Sequence, residues 1–441
     1  MNDLLNLSFR RLAAFLVVVL LFLLIVDAAV LQLQMYLTGG NILVGNFIFK
    51  IAVLAIAGLG FFIYPKLQHT GLPVLTWLLC IAYLVGDMPH LMSGRGMTLV
   101  DVLQSYNAYY ALVLIGPVLL AFRGAVSERA IIRCAMFLLY LCAIIGLAQY
   151  LTRQPLLFTD SSDGAFHINS WTFFDNVRAF SLFSSSMNFG LFCAFTGALG
   201  VALYRQNPKK GGLLAVVSAI ACYATLTRLS YLVFACAFSY ALVLTFGKKA
   251  GRGLWYPLLY FVLGISTMFV GLISFTAEES NLQDTGSLIM RVGQWGFYAE
   301  LILQSSATDK VFGLGIVQNE KLSADFPMLI DCAPLALVLH LGIVGLMLFG
   351  ALLVQMWLYL RREALDSRQP LAIAAASFWA TLACAGIFNI VFSSFGAIFA
   401  LAILCAHKNK AIIHHQEKRR SSDGGGLKRL LPDHVGTLKQ T

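Results

Sequence analysis

Long apolar stretches, separated by mostly short polar connections, run through the chain from near its start to about residue 406. A helix that spans a bilayer needs about 20 consecutive apolar residues. Segments that approach this length lie at about 12–32, 43–63, 72–88, 104–122, 130–150, 184–204, 212–226, 229–246, 255–275, 335–359, 370–387 and 389–406. The pattern predicts an all-α, polytopic membrane protein with about 12 transmembrane helices in one domain, residues 1–406.

Two connections between the apolar segments are much longer than the usual length of about 4–6 residues. They run from about 151 to 183 and from about 276 to 334, and their aromatic content predicts ordered loops. In the second loop, residues 287–304 carry large apolar side chains at helical spacing, which predicts an amphipathic helix lying on or against the membrane. The residues predicted for its apolar side are Leu288, Met290 or Val292, Trp295, Ala299 and Ile302.

Basic residues crowd the connections on one side of the predicted membrane. Most of the 31 Lys and Arg residues fall in alternate connections and in the final segment 407–441. The positive-inside rule assigns that side to the cytoplasm, so both termini are predicted to be cytoplasmic. The polar composition of 407–441 predicts a disordered tail. The two long loops then lie on the outer side, together with a few scattered arginines.

The composition excludes an ordinary soluble protein. The chain is 59% hydrophobic and 12% charged, with a mean hydropathy of +0.79, whereas soluble domains are about 25% charged. The net charge of +10 arises in the inner connections and the tail, where attraction to anionic lipid explains it, so no nucleic-acid partner is expected. All of the nine cysteines except Cys332 fall in apolar segments, without metal-ligand spacing. No metal and no cofactor are predicted.

Three arginines on the outer side are candidates for binding phosphate. Arg178 precedes the sixth apolar segment, Arg228 lies in the tight connection between the seventh and eighth, and Arg291 lies on the predicted amphipathic helix. A guanidinium donates two parallel hydrogen bonds to phosphate oxygens, so converging arginines bind a pyrophosphate without a metal. The alternatives are that Arg178 snorkels from a helix end and that Arg291 belongs to an ordinary polar face. The connection around Arg228 is too short to carry its side chain far into bulk water.

Other candidate site residues lie in or beside the two long loops. Asp331 stands just outside the tenth apolar segment, where it is placed to accept a proton from a sugar hydroxyl as a general base or to cap the following helix. His167 and Asp175, in the first loop, are candidates for binding sugar hydroxyls. Trp295 and Tyr298, in the second loop, are candidates for stacking on sugar rings.

Four stretches of sequence resemble, in this order, motifs of the O-antigen ligase and polymerase superfamily. The stretches are VRAFSLFSSSMNFGLF, TLTRLSYLVF, RVGQWGFYAELILQSSATDKVFGLG and GIVGL, within about residues 170–350. Ser181 stands where the family usually has Gly, and Thr227 where it usually has Ser. The resemblance implies that Arg178, Arg228 and Arg291 are the arginines of the family, and that the last two bind pyrophosphate.

The resemblance also implies a fold, an activity and partners. It implies a GT-C-like, metal-independent glycosyltransferase at the periplasmic face of a bacterial inner membrane. The implied donor is an oligosaccharide linked to undecaprenyl pyrophosphate, and the implied acceptor is a second glycan. A chain-length regulator and a flippase are candidate protein partners.

One position separates two activities within the resembled family. Ligases of the WaaL type carry His-Asn eleven residues before the first Gly of GxxG, and here Asp331 and Cys332 stand in that place before Gly342. Polymerases of the Wzy type often have an acidic residue there, so the leading hypothesis is polymerisation of O-antigen or exopolysaccharide repeat units. The alternative is a ligase that transfers glycan to lipid A core or to protein. A transporter of lipid-linked glycan would place charges deep in several spans, where few residues besides Lys50 and Arg133 are charged.

Overall fold

The computed structural model describes Phe15 and residues 72–92, 128–154, 156, 172–173, 176–183, 185–247, 255–277, 293, 295–315, 332–381 and 384–386. The predicted segments 43–63, 104–122 and 389–406, the predicted tail 407–441, and the segment 12–32 apart from Phe15 lie outside the described residues.

Helices make up almost all of the described part of the chain. They are α1 (Leu72–Met92), α2 (Glu128–Thr152), α3 (Ser186–Tyr204), α4 (Pro208–Ala224), α5 (Arg228–Phe246), α6 (Tyr256–Ala277), α7 (295–304), α8 (Ala307–Phe312), α9 (Ala333–Ser367) and α10 (Pro370–Ala380). A short antiparallel pair of strands, β1 (Thr172–Phe173) and β2 (Asn176–Val177), precedes α3.

Four of the described helices, α2, α3, α5 and α9, are long and apolar enough to cross a membrane. They coincide with four of the apolar segments found in the sequence, which confirms the predicted helical and apolar character of these segments. Helices α1, α4, α6 and α10 overlap four further predicted segments. The total of about twelve spans stays a prediction.

Helix α3 lies at the centre of the described bundle. Almost all of its residues are buried inside the protein, and the helix packs against α4, α5 and α10. Small residues allow its close approach to α4, since a Cβ on Gly200 would lie 2.7 Å from the backbone nitrogen of Ala215. The Ser218 hydroxyl of α4 also donates a hydrogen bond of 2.9 Å to the Thr196 hydroxyl of α3. These two buried hydroxyls are thus paired with each other.

Helix α4 covers α3 with one side and exposes an apolar stripe on the other. The stripe consists of Leu213, Val216, Ile220 and Tyr223, spaced by three or four residues along the helix. Residues at this spacing lie along one side of a helix. An exposed stripe of this kind is suited to contact with lipid.

The turns that join α3 to α4 and α9 to α10 follow from capping residues and prolines. Asn207 accepts a hydrogen bond of 3.1 Å from the amide of Lys210, and Pro208 stands in the first turn of α4. Arg368 ends α9 in the left-handed region, with φ of 50°, and Pro370 begins α10. Proline suits a first helical turn because its missing N–H would have no partner there.

Helix α9 is broken at Gly342, whose backbone has φ of 69° and ψ of −170°. The segment Gly313–Gly315 enters the break. The amide of Leu314 donates to the carbonyl of Leu339 at 2.7 Å, and the amide of Gly315 donates to the carbonyl of His340 at 3.1 Å. The apolar pattern over 335–359 predicts a span but gives no sign of this break.

The break would leave helix carbonyls without donors in apolar surroundings, which is costly. Tyr83 of α1 completes their pairing, because its hydroxyl donates 2.7 Å to the carbonyl of Leu341. The carbonyls of residues 339, 340 and 341 therefore all accept hydrogen bonds. Glycine is required at this contact, since a Cβ on Gly342 would lie 2.1 Å from the carbonyl oxygen of Val311.

Helix α7 occupies the second half of the segment predicted to be amphipathic. Tyr298 is 2% exposed and packs with Ala336 and Leu339 of α9. Ala299, which the sequence pattern predicts on the apolar side, is exposed. The side of α7 buried within the protein is centred on Tyr298, and contact of the Ala299 side with a membrane stays a prediction.

Candidate functional site

Arg178 and Arg228 lie at the same end of the helical bundle. The amide of Ala179 donates a hydrogen bond of 3.1 Å to the carbonyl of Ala224, the last residue of α4. The hydroxyls of Ser186, at the start of α3, and Thr227, just before α5, are 3.1 Å apart. This region is termed the arginine end, and it comprises the described residues of 149–156, 176–186 and 223–231.

Two helices, α3 and α5, begin at the arginine end, and helix N-termini attract anions. Ser185 caps α3, since its hydroxyl accepts a hydrogen bond of 3.1 Å from the amide of Asn188. Thr227 makes no such side-chain bond to α5. Its hydroxyl donates instead to the carbonyl of Thr225, at 3.0 Å. The first turn of α5 therefore presents backbone N–H donors that no Thr227 cap covers.

The charge of the arginine end is positive. Its described residues include Arg153, Arg178 and Arg228 and no carboxylate. Arg178 is half-buried, and Arg153 and Arg228 are exposed. A cation in the first turn of a helix opposes the helix dipole, as Arg228 does in α5. Cations placed against the dipole are stabilised when an anion binds between them, so this arrangement is suited to an anionic ligand.

Gln149 of α2 holds the chain that carries Arg178. Its side chain is fully buried, with 0% exposed. The side-chain oxygen accepts hydrogen bonds from the amides of Phe180 at 3.2 Å and Ser181 at 2.7 Å. The side-chain nitrogen donates to the carbonyls of Ser181 at 3.3 Å and Leu156 at 3.4 Å. One side chain thus connects α2, the turn after α2, and the segment before α3.

Gln149 was not predicted as a site residue from the sequence. The signal that points to it is a polar carboxamide in the last turn of an otherwise apolar helix. Its partners lie about thirty residues further along the chain, so the signal alone does not show what it binds.

Backbone strain is concentrated at the arginine end. Among the described non-glycine residues, Arg153, Ser181, Leu226 and Arg368 have positive φ, of 55°, 54°, 49° and 50°. The first three lie at the arginine end. Each such conformation costs roughly 1–3 kcal/mol and persists where surrounding contacts hold it, commonly at ligand-binding sites.

A cluster of three tyrosines lies beside the arginines. The rings of Tyr223 and Tyr231 are stacked with centroids 6.2 Å apart, and Tyr150 meets Tyr223 edge-on at 6.2 Å. The Tyr231 hydroxyl donates a hydrogen bond of 2.7 Å to the Tyr223 carbonyl. Tyr223 is 61% exposed and stands at the end of the apolar stripe of α4. Tyrosines in such positions favour the membrane–water interface, which is the depth of a lipid head group.

Trp295 and Tyr298 lie on α7, and Cys332, just before α9, packs against the cluster that Tyr298 forms with Ala336 and Leu339. Burial raises the pKa of the Tyr298 hydroxyl and that of the Cys332 thiol, so both groups are neutral near pH 7. Trp295 is half-buried. The burial of the Tyr298 ring favours packing against α9 over an exposed surface for a sugar.

The remaining residues predicted for the site, His167, Asp175, Arg291 and Asp331, lie outside the described residues. Within the described ranges, no three His, Cys, Asp or Glu side chains form a group that could hold a metal ion.

No protein-family model matches the chain, and no curated protein matches it either.

Proposed function

We propose that the protein is a metal-independent, inverting membrane glycosyltransferase. Its donor is a glycan linked to undecaprenyl pyrophosphate, and it polymerises O-antigen or exopolysaccharide repeat units at the periplasmic face of a bacterial inner membrane. The observation that carries this proposal is the meeting of the Arg178 and Arg228 segments at an end where two helices begin. A diphosphate is the anion that this combination of guanidinium and N–H donors suits.

The arginines bind the leaving group in this proposal. Arg228 and Arg291, helped by Arg178, hold the pyrophosphate and stabilise the negative charge that develops as the bond from the anomeric carbon to the phosphate oxygen breaks. Backbone N–H groups in the first turn of α5 bind the same anion. Undecaprenyl pyrophosphate then leaves with the electron pair of the broken bond.

Asp331 acts on the acceptor in this proposal. The acceptor hydroxyl oxygen attacks the anomeric carbon from the side opposite the pyrophosphate, which inverts the configuration. Asp331 accepts the hydroxyl proton as the new glycosidic bond forms. His167, Asp175, Trp295 and Tyr298 are the candidates for contacts to the sugars, although the burial of Tyr298 weighs against that ring.

Contacts between the four resembling stretches support the family resemblance. The stretches VRAFSLFSSSMNFGLF and TLTRLSYLVF meet through the hydroxyls of Ser186 and Thr227, and Ala179 of the first is bonded to Ala224, immediately before the second. VFGLG enters the break that begins GIVGL. Ser181, where the family usually has Gly, has φ of 54°, in the region that glycine occupies without strain. We therefore extend the proposal to a GT-C-like bundle of about twelve spans with both termini in the cytoplasm.

The test incubates the purified protein with lipid-linked repeat units and no other acceptor. A polymerase produces a ladder of longer glycans, whereas a ligase or a transporter produces none. Adding lipid A core then separates the last two, because only a ligase transfers glycan to it. An Asp331→Asn variant should lose about 10²–10⁴ in rate, and Asp366→Asn, on the exposed surface of α9, is the matched control. A full-rate Asp331→Asn variant removes the general base from the mechanism.

A further inference from the structure

Gln149 joins the arginine end to α2 but carries no charge and has no place in the chemistry proposed above. We propose that Gln149 is a positioning residue, whose side chain fixes the backbone of residues 180–181 and so holds Arg178 beside the start of α5. The inference rests on the proposed function, and it adds a residue that acts through Arg178 without contacting the donor.

The geometry requires a carboxamide at this position. The Gln149 side chain accepts from the Ser181 amide at 2.7 Å and donates to the Ser181 carbonyl at 3.3 Å, so it pairs with this residue as a neighbouring strand would. The amide of Phe180 donates to the same side-chain oxygen. A carboxylate would keep the acceptor and lose the donor, and an apolar side chain would lose both.

The hold on Arg178 comes from two attachments on its C-terminal side. Ala179 donates its amide to the Ala224 carbonyl, and Phe180 and Ser181 are bound to Gln149. Residues 178–183 have no regular helix or strand of their own. Ser181 also has φ of 54°, which is held against its intrinsic cost by these contacts.

Loss of Gln149 should weaken donor binding more than it slows the chemical step. Without its partner, the buried backbone of residues 180–181 has three polar groups unpaired, and the segment gains by moving to find others. Arg178 moves with it. The loss of the contact that holds the donor in the ground state raises KM, and because Arg178 also helps to stabilise the developing charge, kcat falls as well, by less than KM rises.

The variants are Gln149→Leu, Gln149→Glu and a matched control, Thr196→Val. Thr196 is also fully buried, and it is hydrogen-bonded to Ser218 of α4 and to the Phe192 carbonyl of its own helix, but it lies in the middle of α3. Substitution at either position should lower the midpoint temperature of thermal unfolding in detergent. A general loss of stability therefore affects the control as well.

Three measurements are made on the full-length protein. Hydrogen exchange of the amides of residues 180–181 should speed up at least tenfold in Gln149→Leu, since their acceptor is gone. The KM for lipid-linked repeat units and the Kd for undecaprenyl pyrophosphate should each rise by about 10–100-fold, by analogy with removal of the hydrogen-bond partner that orients a metal ligand. The control should change neither exchange at 180–181 nor KM.

Each failure has a distinct meaning. A KM in Gln149→Leu within twofold of the native value overturns the positioning role, even if exchange at 180–181 is faster. An equal rise of KM in Thr196→Val overturns it too, because the effect would then be general. If the native protein neither elongates repeat units nor binds undecaprenyl pyrophosphate, the proposed function itself is wrong and the positioning role falls with it.

Discussion

The arginine end and the break in α9 are two places where apolar helices interrupt their hydrogen bonding, and they are resolved in opposite ways. At the break, the freed carbonyls of residues 339–341 accept from Leu314, Gly315 and Tyr83. At the arginine end, Thr227 leaves the first N–H groups of α5 without its side-chain cap. The break is closed by hydrogen bonds from other parts of the protein, whereas the start of α5 lacks a cap from the Thr227 side chain.

The break in α9 and the arginine end also differ in which residues adopt positive φ. Positive φ at the break falls on glycines, Gly313, Gly315 and Gly342, which adopt it without strain. Positive φ at the arginine end falls on Arg153, Ser181 and Leu226, which do not. A closed, neutral, glycine-lined break is a structural joint, whereas an open, cationic, strained end has the properties of a binding site.

The largest expected effect tests whether Arg178 and Arg228 bind one anion. Each single Ala variant should lose about 10²–10³ in rate, as removal of one donor to a developing anion does. The double variant should lose less than the product of the two losses, because residues that act on one group are not additive. The measurement is the rate of repeat-unit elongation, with Arg362→Ala, an exposed residue of α9, as control. Losses that multiply in the double variant would place the two arginines in separate sites.

Gly342→Ala should have the next largest effect, and it should act on stability. A Cβ there meets the Val311 carbonyl oxygen at 2.1 Å, and the backbone conformation is one that glycine almost alone adopts. We expect a loss of about 2–4 kcal/mol, from strain and overpacking, seen as a lower thermal midpoint in detergent. Gly350→Ala, in the same helix with open space around it, should change the midpoint little. Equal midpoints for the two variants would mean that the break is not a fixed joint.

Substitution of Thr227 can supply the side-chain cap that the start of α5 lacks. Thr227→Asp and Thr227→Asn both supply a side chain that caps α5, so neither should lower the thermal midpoint. The Asp carboxylate also takes the place of the bound anion, so the affinity for undecaprenyl pyrophosphate should fall on the order of tenfold to thirtyfold, up to ~2 kcal/mol. The Asn variant, which adds no charge, should bind more tightly than the Asp variant. Equal affinities would show that the first turn of α5 does not contact the anion.

The apolar helices and the shared location of two arginines are features that the sequence alone predicts. The helices at 130–150, 184–204, 229–246 and 335–359 were predicted because a bilayer requires a minimum apolar length, and that requirement is local to each segment. The common location of Arg178 and Arg228 was predicted for the same reason, since alternate helix ends return to one side of a membrane.

The break in α9 and the hydrogen bonds of Gln149 were not predicted, because both depend on residues that are distant in the sequence. The break in α9 needs Gly313–Gly315, and the pattern of apolar residues is the same whether a helix is broken or continuous. In the sequence, Gln149 is one polar residue in an apolar helix, and its hydrogen bond with Ser181 is known only from the structure. The contact of Tyr298 in α7 with α9 was not predicted either, because the spacing of apolar residues in a helix does not show which other helix it meets.

The smallest expected effects come from removing one tyrosine hydroxyl at the break in α9 and one at the arginine end. Tyr83 donates to the Leu341 carbonyl at the joint, and Tyr231 donates to the Tyr223 carbonyl at the arginine end, both at 2.7 Å. Tyr83→Phe should cost about 1–2 kcal/mol, because it leaves a partly buried carbonyl without a donor. Tyr231→Phe should cost less than about 0.5 kcal/mol, since that bond is exposed and water can replace it. The thermal midpoints in detergent measure both. A larger loss for Tyr231→Phe would mean that the arginine end is sealed from water even when empty, which would contradict its assignment as the open one of the two regions.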